Sequence, residues 1–120
     1  MNKYEPITKY LKAFHRETFG KWSERKGEGT LENPYSMPYF IYDKDVLEFI
    51  DDFYRLGIID YSYNEHLEAI ENKSMEELTE SELITRLTFM IRGDRFSEGF
   101  LNSALKNGTV QRILERLGKF

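Results

Sequence analysis

Apolar residues recur at helical spacing through most of the chain, and charged residues occupy the positions between them. The clearest case is residues 44–56, where Asp43 can cap the start of a helix and Gly57 can end it. The apolar side chains form one wide stripe, which indicates an amphipathic helix with one buried face. The members of that stripe are Val46, Leu47, Phe49, Ile50, Phe53 and Tyr54.

The same spacing predicts a helix near each end of the chain. The first is expected over Glu5–Phe19, with Pro6 in its first turn and Gly20 as a left-handed end. The last is expected to begin at Thr109, whose side chain can cap it. The buried faces would be Tyr4, Ile7, Leu11 and Phe14 in the first helix, and Val110, Ile113, Leu114 and Leu117 in the last.

Three more helices are predicted between these two. A short one begins near Glu65, and a further one spans residues 97–107 and ends at Gly108. The longest follows two possible capping boxes, Ser74-x-x-Glu77 and Thr79-x-x-Glu82. Phe89 points away from the stripe of this helix, so we expect another segment to cover Phe89 and the helix to lie centrally. The stripe is Leu83, Ile84, Leu87, Met90 and Ile91.

Residues 21–42 break the helical pattern with two glycines and two prolines. Trp22 and the run Tyr39–Tyr42 could form two short strands around a turn, or simply an aromatic-rich loop. The sequence therefore predicts a mainly α fold. Residues 1–120 would form a single-domain bundle of about five to six helices with an irregular or short β-hairpin insert at residues 21–42.

Composition narrows the class of protein. The chain has 120 residues, 40% of them hydrophobic and 15% aromatic, which allows a real core and excludes disorder. The absence of cysteine excludes a disulfide framework, a thiolate zinc site and a cysteine nucleophile. The N-terminal "MNKYEPITKYLKAF" lacks the apolar run of a signal peptide, and no run approaches the ~20 residues of a membrane span. We therefore expect a cytoplasmic protein that does not bind membranes.

Charge is distributed unevenly along the chain. Residues 1–85 carry 10 Lys and Arg against 18 Asp and Glu, whereas residues 86–120 carry 7 against 3. The basic end could face an acidic partner, either nucleic acid or protein. It could equally pack against the acidic part of its own chain, which is the interpretation we favour.

The segment "IRGDRFSEG" is the main candidate site. In a structural interpretation, Arg92 is the last residue of a helix and Gly93 turns the chain. Asp94 accepts a hydrogen bond from an arginine or a backbone amide. Phe96 packs into the joint between two helices, before Gly99. The Arg-Gly-Asp tripeptide could also suggest an adhesion motif, but a three-residue match arises easily by chance. The structural interpretation is favoured.

A second interpretation makes the same segment an anion site. Arg92 and Arg95 would form a fork for phosphate or carboxylate, and the helix that opens near Ser97 would add free backbone amides. Asp94 argues against this unless it acts as a counter-charge. Tyr39 and Tyr42 belong to the aromatic stretch "NPYSMPYFIY", which could border a binding groove beside this segment or lock an irregular loop onto the core.

Other polar residues offer little chemistry. His15 and His66 do not form a spaced ligand pair, and we expect His15 to be half-buried at the flank of the first helix. We predict no catalytic residues, no metal site and no cofactor. The last two helices, joined by "NGT", invite a DNA-binding interpretation, but the acidic remainder of the chain disfavours nucleic acid. The exposed face of the last helix would present Gln111, Arg112, Glu115, Arg116 and Lys119.

Several segments resemble a bacterial family of small domains of unknown function. They are "KYEPITKYL", "FGKW", "PYSMPYFIY", "FIDDFY" and "IRGDRFSEGFLNSALKNGTVQRILERL". The family often shows a C-terminal Arg-x-[Glu/Asp]-Arg-Phe-x-x-Gly segment, a later glycine and a closing Leu-x-Arg-Leu. Where relatives often carry cysteine after the Phe, this chain has Ser97, which excludes a thiol role there. The resemblance implies a bacterial, cytoplasmic protein and supplies no function.

The sequence thus favours a non-enzymatic protein-interaction domain. Its contact surface would be the groove between residues 35–42 and residues 92–96, and its partner would be another protein. One alternative is a protein or enzyme that binds a small phosphate or carboxylate ligand through Arg92 and Arg95. Another is DNA binding through the last two helices. The oligomeric state cannot be predicted from the sequence.

Overall fold

The computed structural model describes residues 3–23, 27–34, 39–93 and 97–120. Within these ranges the chain forms six α-helices and one antiparallel pair of strands, which confirms the predicted mainly α fold with a short hairpin. The elements in chain order are α1 (Glu5–Thr8), β1 (Gly20–Trp22), β2 (Phe40–Tyr42), α2 (Lys44–Arg55), α3 (Tyr63–Ile70), α4 (Glu80–Arg92), α5 (Phe100–Lys106) and α6 (Thr109–Leu117).

Helix α4 lies at the centre of the fold and packs against α3, α5 and α6. Its start is the predicted capping box. The Thr79 hydroxyl accepts from the Glu82 backbone N–H at 3.4 Å, and the Glu82 carboxylate accepts from the Thr79 backbone N–H at 2.9 Å. The other predicted box is wrong, because Ser74 makes no side-chain cap and precedes a single 3-10 turn, Met75–Glu77.

Phe89 is covered by neighbouring helices, as predicted. Its ring lies 4.9 Å from the ring of Phe100 in α5 and 6.2 Å from that of Tyr63 in α3. Helix α4 also packs against α6, whose buried side chains share one core cluster with those of α4. This position makes α4 the element around which the others are arranged.

The first helix is much shorter than predicted. Helix α1 ends at Thr8, and the chain continues in turns to Phe14. The segment after Thr8 mixes i+3 and i+4 hydrogen bonds: the Tyr10 N–H donates to the Ile7 carbonyl at 3.3 Å, and the Phe14 N–H donates to the Tyr10 carbonyl at 2.9 Å. A continuous α-helix therefore does not form there.

Gly20 opens β1 and does not end a helix as predicted. It pairs with Tyr42, and the register continues through Lys21 with Ile41 and Trp22 with Phe40. A Cβ atom on Gly20 would lie 2.1 Å from the Ile41 carbonyl oxygen, so only glycine permits this close approach.

Helix α2 has the predicted start and end, but its buried face is narrower than expected. Val46, Phe49 and Phe53 are fully buried, whereas Leu47 is 53% exposed and Tyr54 is 39% exposed. The predicted stripe was therefore too wide, because a helix on the outside of the fold buries only the side chains that face inward.

Asp43 occupies the N-cap position of α2 without capping it. Its side chain accepts no backbone hydrogen bond from the helix. The carboxylate instead lies 3.2 Å from the guanidinium of Arg16, which also binds Asp45 in the first turn. Arg16 thus ties the N-terminal segment to the start of α2, and Asp43 serves as one of its two anions.

Two other helix starts and one helix cap differ from the predictions. Helix α3 begins at Tyr63, slightly before the expected Glu65. Helix α5 begins at Phe100, not Ser97, because Gly99 has a left-handed φ of 80°. Thr109 does not cap α6; the Asn107 carboxamide oxygen accepts both its backbone N–H at 2.9 Å and its hydroxyl at 2.6 Å.

Candidate functional site

The hairpin packs on the beginning of α5. The Trp22 ring lies against Gly99, where an added Cβ would come within 2.8 Å of the indole. The Tyr42 hydroxyl accepts from the Asn102 backbone N–H at 3.0 Å, and the Tyr42 ring lies 4.7 Å from that of Phe40. Tyr42 therefore makes the kind of contact expected if this stretch locks onto the core, and its role in ligand binding stays a prediction.

The other side of the hairpin is exposed. Tyr39 and Ile41 are two residues apart on β2 and its flank, so they project to the same face. Their exposed fractions are 55% and 39%. Trp22 pairs with Phe40 and therefore lies on the opposite face, where its ring contacts Gly99 and 51% of its surface stays exposed. We call Tyr39 and Ile41 the hairpin surface. It presents aromatic and aliphatic area to solvent on a short sheet.

Arg92 is the last residue of α4, as predicted. Its guanidinium lies over the Tyr61 ring, 5.7 Å from the ring centroid, and its Nε is buried without a hydrogen-bond partner among the residues described. Asp94, Arg95 and Phe96 lie outside the described residues. The joint action of Arg92 and Arg95, as a brace or as an anion fork, therefore stays a prediction.

Gly93 does not turn the chain in the way predicted. Its φ of −61° and ψ of −25° continue the right-handed helix. Glycine is needed there for space, because a Cβ would lie 2.6 Å from the Phe100 ring. Phe100 therefore packs between Gly93 and Phe89, at the joint where we expected an aromatic plug.

Two polar side chains of the last helix, Gln111 and Arg116, are hydrogen-bonded within the fold, although we expected them on its exposed face. Gln111 is buried, and its Nε2 donates to the Phe14 carbonyl at 3.1 Å and the Leu105 carbonyl at 2.9 Å. Arg116 donates to the backbone carbonyls of Met75 and Leu78. These donors are engaged within the fold, which removes two of the side chains that a DNA-binding helix would have used.

The two histidines differ from each other in environment. His15 is exposed, so the prediction of a half-buried side chain is wrong. His66 is also mostly exposed, but its Nδ1 lies 2.6 Å from Oδ2 of Asp60. The Thr85 hydroxyl donates to the same carboxylate oxygen at 2.6 Å, and the Ser62 backbone N–H donates to Oδ1 at 3.0 Å.

These hydrogen bonds shift the pKa values of both His66 and Asp60. The hydrogen bond and charge of Asp60 raise the pKa of His66. Burial acts to raise the pKa of Asp60, but the hydrogen bonds from Thr85 and His66 outweigh it and lower that pKa. No spacing in the sequence indicates this cluster, because Asp60 precedes α3 and Thr85 lies on α4, 25 positions apart.

Asp60 and His66 lie at the edge of a groove between α3 and α4 with a volume of about 470 Å³. Its lining combines isoleucine side chains with acidic and hydroxyl groups: Ile58, Asp60, Glu65, His66, Ala69, Ile70, Ser81, Glu82, Ile84 and Thr85. This volume is within the usual range for small-molecule sites. The groove is therefore a second candidate site, separate from the hairpin.

Within residues 3–23, 27–34, 39–93 and 97–120, no group of three or more His, Cys, Asp or Glu side chains is arranged to hold a metal ion. No helix in those ranges has the length and apolar character needed to cross a membrane. No curated protein and no solved structure matches the chain significantly. A family model does match, over residues 1–120. The chain therefore belongs to the family that this model describes, a family of unknown function (DUF6508).

Proposed function

We propose that this protein is a non-enzymatic interaction domain that binds another protein through the hairpin surface. The observation behind the proposal is the exposure of Tyr39 and Ile41 side by side on one face of the hairpin. Neighbouring exposed apolar groups often mark contact sites, and Tyr is enriched at the energetic centres of such contacts.

The size of the surface favours a transient contact. A stable dimer usually buries about 800 Å² on each partner, which involves some 20–30 residues a side. Two side chains form only the centre of such an area, so a constitutive dimer through this surface alone is not expected. The partner we propose is a different protein that presents an apolar segment.

Contacts on the buried face of the hairpin also hold it in place. Gly20 fits tightly against β2, the Trp22 ring lies against Gly99, and Tyr42 is hydrogen-bonded to the backbone of α5. A surface held in this way loses little conformational freedom when a partner binds. This support favours recognition by a preformed surface.

Affinity capture from a lysate of the source cells, quantified by mass spectrometry, tests the proposal. Wild-type protein should retain a stoichiometric protein partner that Ile41→Asp and Tyr39→Ala both lose. The matched control is Leu47→Asp, which puts the same charge on a comparably exposed apolar residue, 53% exposed, of helix α2. Circular dichroism must show that all variants fold.

Retention of the partner by Leu47→Asp and its loss from Ile41→Asp would support the hairpin surface. Loss from Leu47→Asp alone would move the contact to α2 and overturn the proposal. The absence of any stoichiometric partner, or equal capture by every variant, would also overturn it.

A further inference from the structure

The groove between α3 and α4 has a largely apolar floor. Ile58, Ile70 and Ile84 line it, and Ile70 is almost fully buried beneath it. A ligand that enters a groove of this kind gains free energy by removing apolar surface from water. The volume of about 470 Å³ limits the ligand to a small molecule or to one side chain of a larger one.

The rim of the groove is acidic. Asp60 comes from the segment before α3, Glu65 and His66 from α3 itself, and Glu82 from α4. Among the described residues that line the groove, only His66 can carry a positive charge, against the three carboxylates of Asp60, Glu65 and Glu82. This balance favours a positively charged ligand over an anion.

Two of the three carboxylates are already engaged. Asp60 accepts hydrogen bonds from Ser62, His66 and Thr85, as described above. Glu82 accepts from the Thr79 backbone and binds Lys73 Nζ at 2.7 Å. In the described part of the chain, the Glu65 carboxylate has no hydrogen bond or ion pair. Glu65 is thus the acid left available to a ligand.

His66 is held in a defined orientation. Because Nδ1 contacts Asp60, the other ring nitrogen, Nε2, is the one left to face solvent or a ligand. A protonated His66 adds a positive charge beside Glu65, the preceding residue on α3. Protonation of His66 therefore opposes the binding of a cation in the groove.

We propose that this groove binds a small organic amine, with its alkyl body on the isoleucine floor and its ammonium group on Glu65. Nothing in this proposal depends on the hairpin surface. The two sites use different elements and can be tested separately. An amine ligand would also have its affinity tuned by the protonation state of His66.

The test uses three probes with the same six-carbon body: hexylamine, hexan-1-ol and hexanoate. Each is titrated into the full-length, ¹⁵N-labelled protein, and binding is followed by NMR shifts of the groove residues. For ligands this small, a dissociation constant on the order of millimolar is expected for the amine. The alcohol should bind more weakly than the amine, and hexanoate should bind most weakly.

Paired variants test whether the carboxylate of Glu65 binds the ammonium group. Glu65→Gln should weaken hexylamine binding about two- to fivefold, the range expected for an exposed ion pair. Glu68→Gln is the matched control, because it removes the same charge from the same helix at an exposed residue outside the groove lining. It should leave the affinity unchanged, and neither variant should change the binding of hexan-1-ol.

The pH dependence of hexylamine affinity is an independent test of the role of His66. Hexylamine should bind more tightly at about pH 8 than at about pH 5.5. As the pH falls between these values, His66 gains a proton and its positive charge opposes the ammonium group, which stays charged throughout. His66→Gln should remove most of this difference. Equal binding of amine and alcohol, tighter binding of hexanoate, equal effects of the two glutamate variants, or no binding by any probe would each overturn the proposal.

Discussion

The C-terminal helices and the N-terminal segment are held in place by different kinds of contact. Helices α4 and α6 bury aliphatic side chains that recur at helical spacing, with Leu83, Leu87 and Ile113 all inaccessible to solvent. Residues 3–19 have little regular structure and bury aromatic rings instead. They are joined to the rest by polar contacts between residues far apart in sequence: Tyr4 with Glu80, Tyr10 with Asp52, and Arg16 with Asp43 and Asp45.

This difference has consequences for stability. Removing a fully buried aliphatic side chain loses both transfer free energy and packing, whereas a partly exposed polar pair contributes much less. The C-terminal helices should therefore supply most of the free energy of folding. The N-terminal segment should be the part that opens first, because it has little regular structure of its own and is held by contacts with residues elsewhere in the chain.

The largest expected effect comes from the C-terminal core. Leu87→Ala should lower the free energy of unfolding by about 2–5 kcal/mol, because the surrounding helices cannot fully close the cavity. Leu47→Ala is the control, since Leu47 is 53% exposed on α2, and it should change stability by less than about 0.5 kcal/mol. Urea denaturation followed by circular dichroism measures both. Similar losses in the two variants would contradict the assigned packing.

A second variant tests the link between the two regions. Gln111 of α6 donates to the carbonyls of Phe14 and Leu105, and Gln111→Leu would leave the Phe14 carbonyl without its donor, while the Leu105 carbonyl keeps the Gly108 N–H at 3.3 Å. We expect a loss of roughly 1–3 kcal/mol. The adjacent, exposed Arg112→Gln should have little effect, because it breaks only a surface ion pair with Glu76.

Hydrogen exchange separates this link from a general loss of packing. In Gln111→Leu, backbone amides of residues 10–19 should exchange faster by a larger factor than those of α4. A uniform change over both regions would show that Gln111 stabilises the core as a whole and does not join the two parts.

The same contrast explains which features the sequence predicted. The stripes of α4 and α6 follow from spacing within one helix, and the capping box at Thr79 follows from residues three positions apart. Ser74 has the same box pattern, but the chain after Glu77 leaves the helical path, so the pattern alone did not produce a cap. Local patterns were reliable where the packing of neighbouring elements agreed with them.

Long-range contacts could not be predicted in this way. The Tyr10–Asp52 hydrogen bond depends on how the N-terminal segment lies against α2, and the Asp60–His66 pair depends on how α3 lies against α4. Neither arrangement has a spacing that the sequence reveals. The candidate site at residues 92–96 was chosen for its charges, whereas the groove was missed because its residues come from three separate parts of the chain.

The smallest expected effect lies in the N-terminal segment. The Tyr10 hydroxyl donates to Asp52 at 2.5 Å, and this hydrogen bond is the main cause of the lowered pKa of Asp52. Tyr10→Phe should lose about 1 kcal/mol at neutral pH, while Tyr54→Phe on the exposed face of α2 should lose almost nothing.

The pH dependence of that loss identifies its origin. A carboxyl group whose pKa is lower in the folded state stabilises the fold above its unfolded pKa, and this stabilisation disappears as pH falls through the folded value. The difference between wild type and Tyr10→Phe, measured by urea denaturation, should therefore shrink as pH falls below about 4. A difference that is constant down to acid pH would mean that the hydroxyl acts through packing and not through the Asp52 carboxylate. The N-terminal segment would then resemble the C-terminal helices more closely than the contacts suggest.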